Sequence, residues 1–331
     1  MSFVTVLIPA FNAAATIRRA IDSVLAQTHD NFEVIVVDDG SSDATAGIVA
    51  TYDSNRIRLL RLTRNQGESA AMNEGIAAAA GDFIAFLDAD DEWLPANLVT
   101  QVRALQCNPN AVMAVCGCRF VGPRGDVIRV ETGIPPYAQN RAEVWRSLLA
   151  ESLIAKPCVL ARAEALRAVG PFDTRLAVSA DQDMWIRLAM RGEVEFVDDV
   201  LTIVHDTVGS LTKVYARKSD QYLLPMVLSH VEQQRHRLSD REVRHILGVR
   251  FATTGRNLYA AGSLLRGATL ILRAVWLGHG GLEALWFLAT ASPPAQIAKR
   301  LLRYSGRKDS RNVDQSRSTV MHASGWKKRR R

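Results

Sequence analysis

Phe83-Ile84-Ala85-Phe86-Leu87-Asp88-Ala89-Asp90-Asp91 is the stretch on which the fold of this chain turns. Its first half is a short, unbroken apolar run, the pattern of a β-strand covered on both faces. Its second half places three carboxylates within four residues, directly after the strand. Ionised carboxylates crowded at the end of a buried strand repel one another and need a counter-charge. A divalent cation with oxygen ligands supplies one, and Mn²⁺ or Mg²⁺ could then bridge to a diphosphate. The plainer alternative is an aspartate that caps the helix opened by Pro95, with its neighbours facing water.

The same succession of strand, polar loop and helix recurs on either side. Val4–Ile8 is an apolar run closed by Pro9, after which Ile17, Ile21, Val24 and Leu25 fall on one helical face. Glu33–Val37 is β-branched and ends in Asp38-Asp39-Gly40-Ser41-Ser42-Asp43, where Ser42 or Asp43 can cap a helix. Ile57–Leu62 reads as a strand, Glu68–Ala80 as an alanine-rich helix, and Pro95 as the opening of another helix. Four such β-α repeats predict an α/β fold on a doubly wound, mostly parallel sheet. Ligands bind beyond the strand C-termini of these sheets, where this chain collects its polar residues. Farther on, Gly122-Pro123-Arg124-Gly125 reads as a turn between two strands and Asp181–Met190 as an amphipathic helix. Val194–Val197 and Val200–Val204 read as two short closing strands, and from Ser219 the pattern is helical.

The 331 residues, 48% of them hydrophobic, can bury a large core. The formal charge of +7 suggests a nucleic-acid partner until it is located. Residues 299–331 hold twelve Lys/Arg and two Asp, so the rest of the chain sums to about −3. The basicity belongs to a tail, and no nucleic-acid partner is expected. Cys107, Cys116, Cys118 and Cys158 are too few and too unevenly spaced for a disulfide framework, and read as buried free thiols. Met1–Pro9 lacks the basic opening of a secretory signal, so a cytoplasmic location is expected.

Taken singly, the polar clusters are ambiguous. A carboxylate of Asp38-Asp39 could accept the N–H of a uracil ring, or merely cap a strand-to-helix turn. Pro9-Ala10-Phe11-Asn12 could end a strand or wall a nucleotide pocket. Taken in order, five motifs are more specific: Ile8-Pro9-Ala10-Phe11-Asn12, Val37 to Asp43, Asn65-Gln66-Gly67 with Asn73-Glu74-Gly75, Gly81-Asp82, and Leu87 to Asp91. Over about residues 2–205 the chain thereby resembles the family-2 glycosyltransferases of the bacterial exopolysaccharide type.

That resemblance implies the GT-A fold, a UDP-sugar donor and Mn²⁺ or Mg²⁺. It puts Asp39 on the uracil, and Asp88, Asp90 and Asp91 at ribose and cation, with Asp90 and Asp91 nearest the metal. Pro9, Phe11, Asn12, Asn65, Gly67 and Asn73 become nucleotide-side candidates. A general base is expected at the start of a later helix, where this chain has Ser179-Ala180-Asp181-Gln182-Asp183-Met184-Trp185-Ile186-Arg187. Asp181 matches the base, a role compatible with capping the helix, while Trp185 and Arg187 fall on the acceptor side. Trp185 could also be plain core. Three positions depart from the family pattern: Ala180 replaces a Glu, Met72 an Arg, and Val204-His205-Asp206-Thr207 a Tyr-Arg-x-His run.

The implied chemistry is inverting transfer of a hexose to a hydroxyl of a saccharide acceptor, which in many family members is lipid-linked. Residues 1–215 are expected to form the catalytic domain, 216–303 a helical region, and 304–331 a disordered basic tail. The helices and tail could lie on an anionic membrane at the inner face of the cell, or pack on the core and face water. A sugar-phosphate nucleotidyltransferase is the alternative enzyme. Its first loop should carry Gly and Lys, and Pro9 to Ala15 has neither. A basic-tailed membrane or RNA adaptor would leave the acidic clusters without a purpose.

Overall fold

The computed structural model describes residues 2–53, 55–132, 140–152, 154–206 and 218–281, with 283 and 287. Thr207, Gly209, Ser210, the expected domain boundary at 215 and the expected tail lie outside the described residues.

Strands β1 (Val4–Ala10), β2 (Phe32–Asp38), β3 (Ile57–Arg61) and β4 (Phe83–Phe86) alternate with helices α1 (Ile17–Leu25), α2 (Thr45–Val49) and α3 (Glu68–Ala78). They pair in parallel in the order β3-β2-β1-β4. The short strand β5 (Glu92–Trp93) and helix α4 (Asn97–Cys107) follow, then β6 (Ala111–Val121), β7 (Val127–Glu131), α5 (Val144–Ala150), β8 (Val159–Arg162), α6 (Ala163–Val169), α7 (Ala180–Ala189) and β9 (Glu193–His205). Beyond β4 the sheet becomes mixed. β8 runs antiparallel to β4 and β6, β9 is parallel to β6, and β5 closes the far edge antiparallel to β9. The two expected closing strands are one strand. Val115 faces Phe196 and Gly117 faces Val200, so Val197, Asp198 and Asp199 bulge out opposite Cys116.

Alternation along β1 explains why the sheet is wound on both faces. Val6 and Ile8 enter one core with α1 and α4, while Leu7 enters the other with α3, α5 and α7. Three of the thiols, Cys116, Cys118 and Cys158, are buried as expected, whereas Cys107, the last residue of α4, is exposed.

The C-terminal helices α8 (Leu223–Gln233), α9 (Asp240–Ala260) and α10 (Leu264–Trp276) are bound into this architecture. Leu223, Met226, Val227 and Val231 of α8, with Ile246 and Val249 of α9, join the same core as α5 and α7. Arg250 of α9 is buried at the C-terminus of α5, donating to the carbonyls of Leu149 (2.5 Å) and Leu148 (2.5 Å) and to Ser152 Oγ (3.0 Å). These carbonyls have no partner within α5, so the guanidinium supplies one. On α10 the face with Leu265, Leu272 and Trp276 points outward, and Leu265 is 87% and Trp276 86% exposed.

Candidate active site

The sheet brings the loops after β1, β2 and β4 to one edge, and these loops carry the acidic motifs. Asn12 has left-handed backbone (φ 50°), a conformation that asparagine tolerates better than most residues. Its N–H donates to Ser41 Oγ (2.9 Å), and its Oδ1 accepts from the N–H of Ser42 (2.9 Å). Ala13 and Ala14 donate to Thr45 Oγ1 (2.8 Å) and Asp43 Oδ2 (3.0 Å). The first two loops are thus tied together, Pro9 is buried in β1, and the Phe11 ring stays half exposed on their surface.

Asp39 is buried at the end of β2. Its Oδ1 accepts from the N–H of Gln66 (2.7 Å) and its Oδ2 from the N–H of Gly67 (2.8 Å). The Asn65 Oδ1 also accepts from Gly67 (3.1 Å). Asp39, Asn65 and Gly67 therefore meet, with the carboxylate shaping the Asn65–Gly67 loop by charge-assisted bonds. Gly40 is needed beside it: at φ 72° a Cβ would stand 2.6 Å from the Arg64 carbonyl carbon.

Asn73, expected on the nucleotide, instead clamps two elements. Its Nδ2 donates to the Phe172 carbonyl (2.9 Å) and its Oδ1 accepts the Phe172 N–H (2.8 Å). Both ends of the amide are thus used in tying α3 to the segment ahead of α7.

In the acidic loop, Asp90 is half-buried and its carbonyl accepts from the Arg19 guanidinium. Asp91 is only 3% exposed, and its Oδ1 accepts from the N–H of His205 (2.9 Å) at the end of β9. Burial and the adjacent Asp90 push the Asp91 carboxyl up to about 8. Burial, then Asp91, Asp90 and Asp181, push Asp88 well above the usual carboxylate range. Acids raised by one another's charge are what a divalent cation relieves. Among the described residues no three His, Cys, Asp or Glu side chains converge into a closed metal cage. An oxygen-only pair such as Asp90 and Asp91 fits Mg²⁺ or Mn²⁺ held jointly by one or two carboxylates and a substrate's phosphates. His205, in the run that departs from the family pattern, places its Nε2 2.9 Å from Glu92 Oε1.

Asp181 occupies the first turn of α7, after Ser179 in left-handed backbone (φ 69°). Ser179, not Asp181, stands at the cap position but makes no side-chain cap bond, and the Asp181 carboxylate instead accepts from backbone N–H groups of the first turn. Burial raises its pKa, while the Gln182 backbone and Lys156 oppose the rise. A half-buried carboxylate with a raised pKa is suited to accept a proton.

Trp185 and Arg187 do not line the acceptor side. Trp185 is 1% exposed, its ring edge-on to Phe86 (5.4 Å between centroids) and Phe172 (6.2 Å). Arg187 donates to Asp183 (2.8 Å) and to the carbonyls of Val169 (2.8 Å) and Pro171 (2.9 Å). Both hold α7 in place, since a residue four positions after the first turn points back into the packed face.

Sequence reading missed Lys156. Only 7% exposed, its ammonium is ion-paired with Glu68 at the start of α3 and with Asp88. A lone Lys between Ile154-Ala155 and Pro157-Cys158 was the available signal. His230 was missed too: its Nε2 lies 2.8 Å from Asp183 Oδ1, joining α8 to the helix that bears Asp181.

A mixed α/β sheet with an acidic loop after β4 is the architecture of the GT-A class. Residues 5–165 match the family described as Glycosyl transferase family 2. The chain belongs to that family. An uncharacterized glycosyltransferase of Rickettsia typhi is 31% identical over 206 residues, 61% of this chain and 64% of its own length. The Escherichia coli UDP-Glc:alpha-D-GlcNAc-diphosphoundecaprenol beta-1,3-glucosyltransferase WfgD is 41% identical over 105 residues, 32% of this chain and 42% of its own. Among solved structures, a mannosyltransferase of Pyrobaculum calidifontis in complex with GDP-Man and Mn²⁺ superposes with a TM-score of 0.60. That superposition covers 94% of this chain and 87% of the other at 19% identity, a likeness of fold.

Proposed function

We propose that this enzyme transfers a hexose from a UDP-sugar to a hydroxyl of a saccharide acceptor, with inversion. The observation that carries the reading is the acidic loop Asp88–Asp91 at the end of β4, where buried Asp91 is held by the His205 N–H and Asp88 pairs with Lys156, within electrostatic reach of Asp181. The loops after β1 and β2 hold the nucleoside, with Phe11 offering a face to the base. Asp90 and Asp91 hold a divalent cation, which when bound neutralises charge on the leaving diphosphate. Asp181 accepts the proton of the acceptor hydroxyl as that oxygen attacks the anomeric carbon from the face opposite the diphosphate. The result is a glycoside of inverted configuration and free UDP.

A lipid-linked acceptor is the reading favoured by the E. coli relative, a glucosyltransferase acting on a diphosphoundecaprenol-linked sugar. No helix of the described residues is long and apolar enough to cross a membrane. The outward Leu265, Leu272 and Trp276, with Arg266 and Arg273 beside them, suit peripheral contact with an anionic leaflet instead. Flotation with anionic liposomes, with and without residues 304–331, tests that contact, and no lipid dependence in either form removes it.

The test of the chemistry is a donor screen with Mn²⁺ or Mg²⁺, read as released nucleotide. Free UDP supports glycosyl transfer, whereas pyrophosphate would favour a nucleotidyltransferase. Asp181→Asn should keep donor binding while transfer falls by about 10²-fold or more. Near-normal turnover of that variant would exclude Asp181 as the base.

A further inference from the structure

The site crowds acids where its proposed ligand is itself anionic. Glu68, Asp88, Asp90, Asp91 and Asp181 gather where a dianionic sugar nucleotide is to bind, and burial with their mutual repulsion raises Asp88 and Asp91. Lys156 is the buried cation at their centre, paired with Glu68 and Asp88 and within electrostatic reach of Asp181. Its position is set by rigid parts: Pro157 follows it, the Pro157 carbonyl accepts from Trp93 Nε1 (2.7 Å) and Thr202 Oγ1 (3.1 Å), and β8 begins at Val159. Glu68 in turn starts α3 directly after Gly67, the residue held by Asp39. One ammonium thus links, through Glu68, the Asn65–Gly67 loop with the acidic loop and the neighbourhood of Asp181.

We propose that Lys156 is a ligand of the donor's diphosphate, the protein's own positive charge for the phosphate that departs with the nucleotide. This rests on the reading of the site as a UDP-sugar site. An ammonium has three N–H donors, and its two carboxylate partners leave one for a phosphate oxygen. A purely structural role explains the residue poorly. Buried ion pairs rarely stabilise a fold more than apolar side chains of the same volume would, so a lysine kept here points to a ligand. Burial draws Lys156 down to about 8 with Asp181 opposing, which leaves it charged at neutral pH. As the bond from the anomeric carbon to the diphosphate oxygen breaks, its electron pair stays on that oxygen, and the added charge falls where the ammonium stands.

The test is calorimetry of UDP and UMP against the full chain in one Mn²⁺ buffer, because the two ligands differ by the phosphate in question. Wild type should bind UDP about tenfold or more tighter than UMP, the scale of a charge-assisted contact. Lys156→Met and Lys156→Gln should lower that ratio about tenfold, the part left being the cation's, and leave UMP affinity nearly unchanged, while Lys156→Arg keeps most of the preference. Gln removes the charge but keeps a polar amide, so it separates charge from packing. A UDP-over-UMP ratio that is unchanged in the Met and Gln variants overturns the proposal. So does a wild type that binds the two alike, or variants that bind neither nucleotide, since Lys156 would then be needed to build the pocket. A wild type with no UDP affinity at all would sink the functional reading instead.

Discussion

Replacing Asp39 by Asn separates two roles that sequence alone could not distinguish. The carboxylate accepts from Gln66 N at 2.7 Å and Gly67 N at 2.8 Å, one bond to each oxygen, at the buried end of β2. An asparagine keeps one acceptor and turns the other atom into a donor, so one backbone N–H faces an NH₂ group whichever way the amide is turned. The amide can turn its NH₂ towards Gly67, whose N–H keeps Asn65 Oδ1, so the loss of the charge-assisted bond costs about 2 kcal/mol. For a chain of this size that lowers the melting temperature by about 4–8 °C. The Asn65–Gly67 loop should loosen with it, and UDP affinity should fall about tenfold. Differential scanning calorimetry and UDP titration on the same preparation read both quantities. Weakened UDP binding with an unchanged melting temperature would refute this reasoning, because Asp39 would then meet the base directly rather than through the loop it holds.

Other substitutions and conditions test neighbouring parts of the structure. Asp91, pushed up to about 8 by burial and Asp90, favours its neutral form, so stability it contributes below the ordinary carboxylate range is lost as pH rises towards 8. A cation favours the ionised form, so thermal shift should show little Mn²⁺ stabilisation at pH 5 and a growing one towards pH 8. A gain independent of pH would contradict this. Arg250→Leu leaves the Leu149 carbonyl unpaired, while Leu148 keeps Gln182 Nε2 (2.8 Å), and should cost about 2 kcal/mol or more in chemical denaturation. Burial pushes Asp183 up, but His230 and Arg187 outweigh it and hold the carboxyl below the usual range. That contribution is present above the unfolded value and lost as pH falls, so His230→Gln should reduce stability at pH 7 and flatten its loss towards pH 4.

The strands were legible because continuous apolar runs ending in Asp or Pro admit few alternatives, and β1, β2 and β4 lie where those runs do. The acidic loop was legible for the same reason, since three carboxylates after such a run are rare by accident. What was not legible is pairing at a distance. Asn73 carries a nucleotide-motif pattern yet serves Phe172, ninety-nine residues away. Trp185 sits at a spacing that suits a sugar wall, but the aromatic pocket of Phe86 and Phe172 claims it. Lys156 lies in a plain apolar stretch and acquires meaning only when β8 places it between Glu68 and Asp88. The C-terminal helices looked separable by composition, whereas Arg250 and His230 tie them to α5 and α7.

The most direct measurement is titration of UDP into the full chain with Mn²⁺ and into the chain with Asp90 and Asp91 replaced by alanine. Cation-dependent binding by the wild type, lost with chelator and reduced about a hundredfold in the double variant, is the outcome expected if this loop grips the phosphates through a metal. UDP affinity that is the same with and without both carboxylates would contradict it.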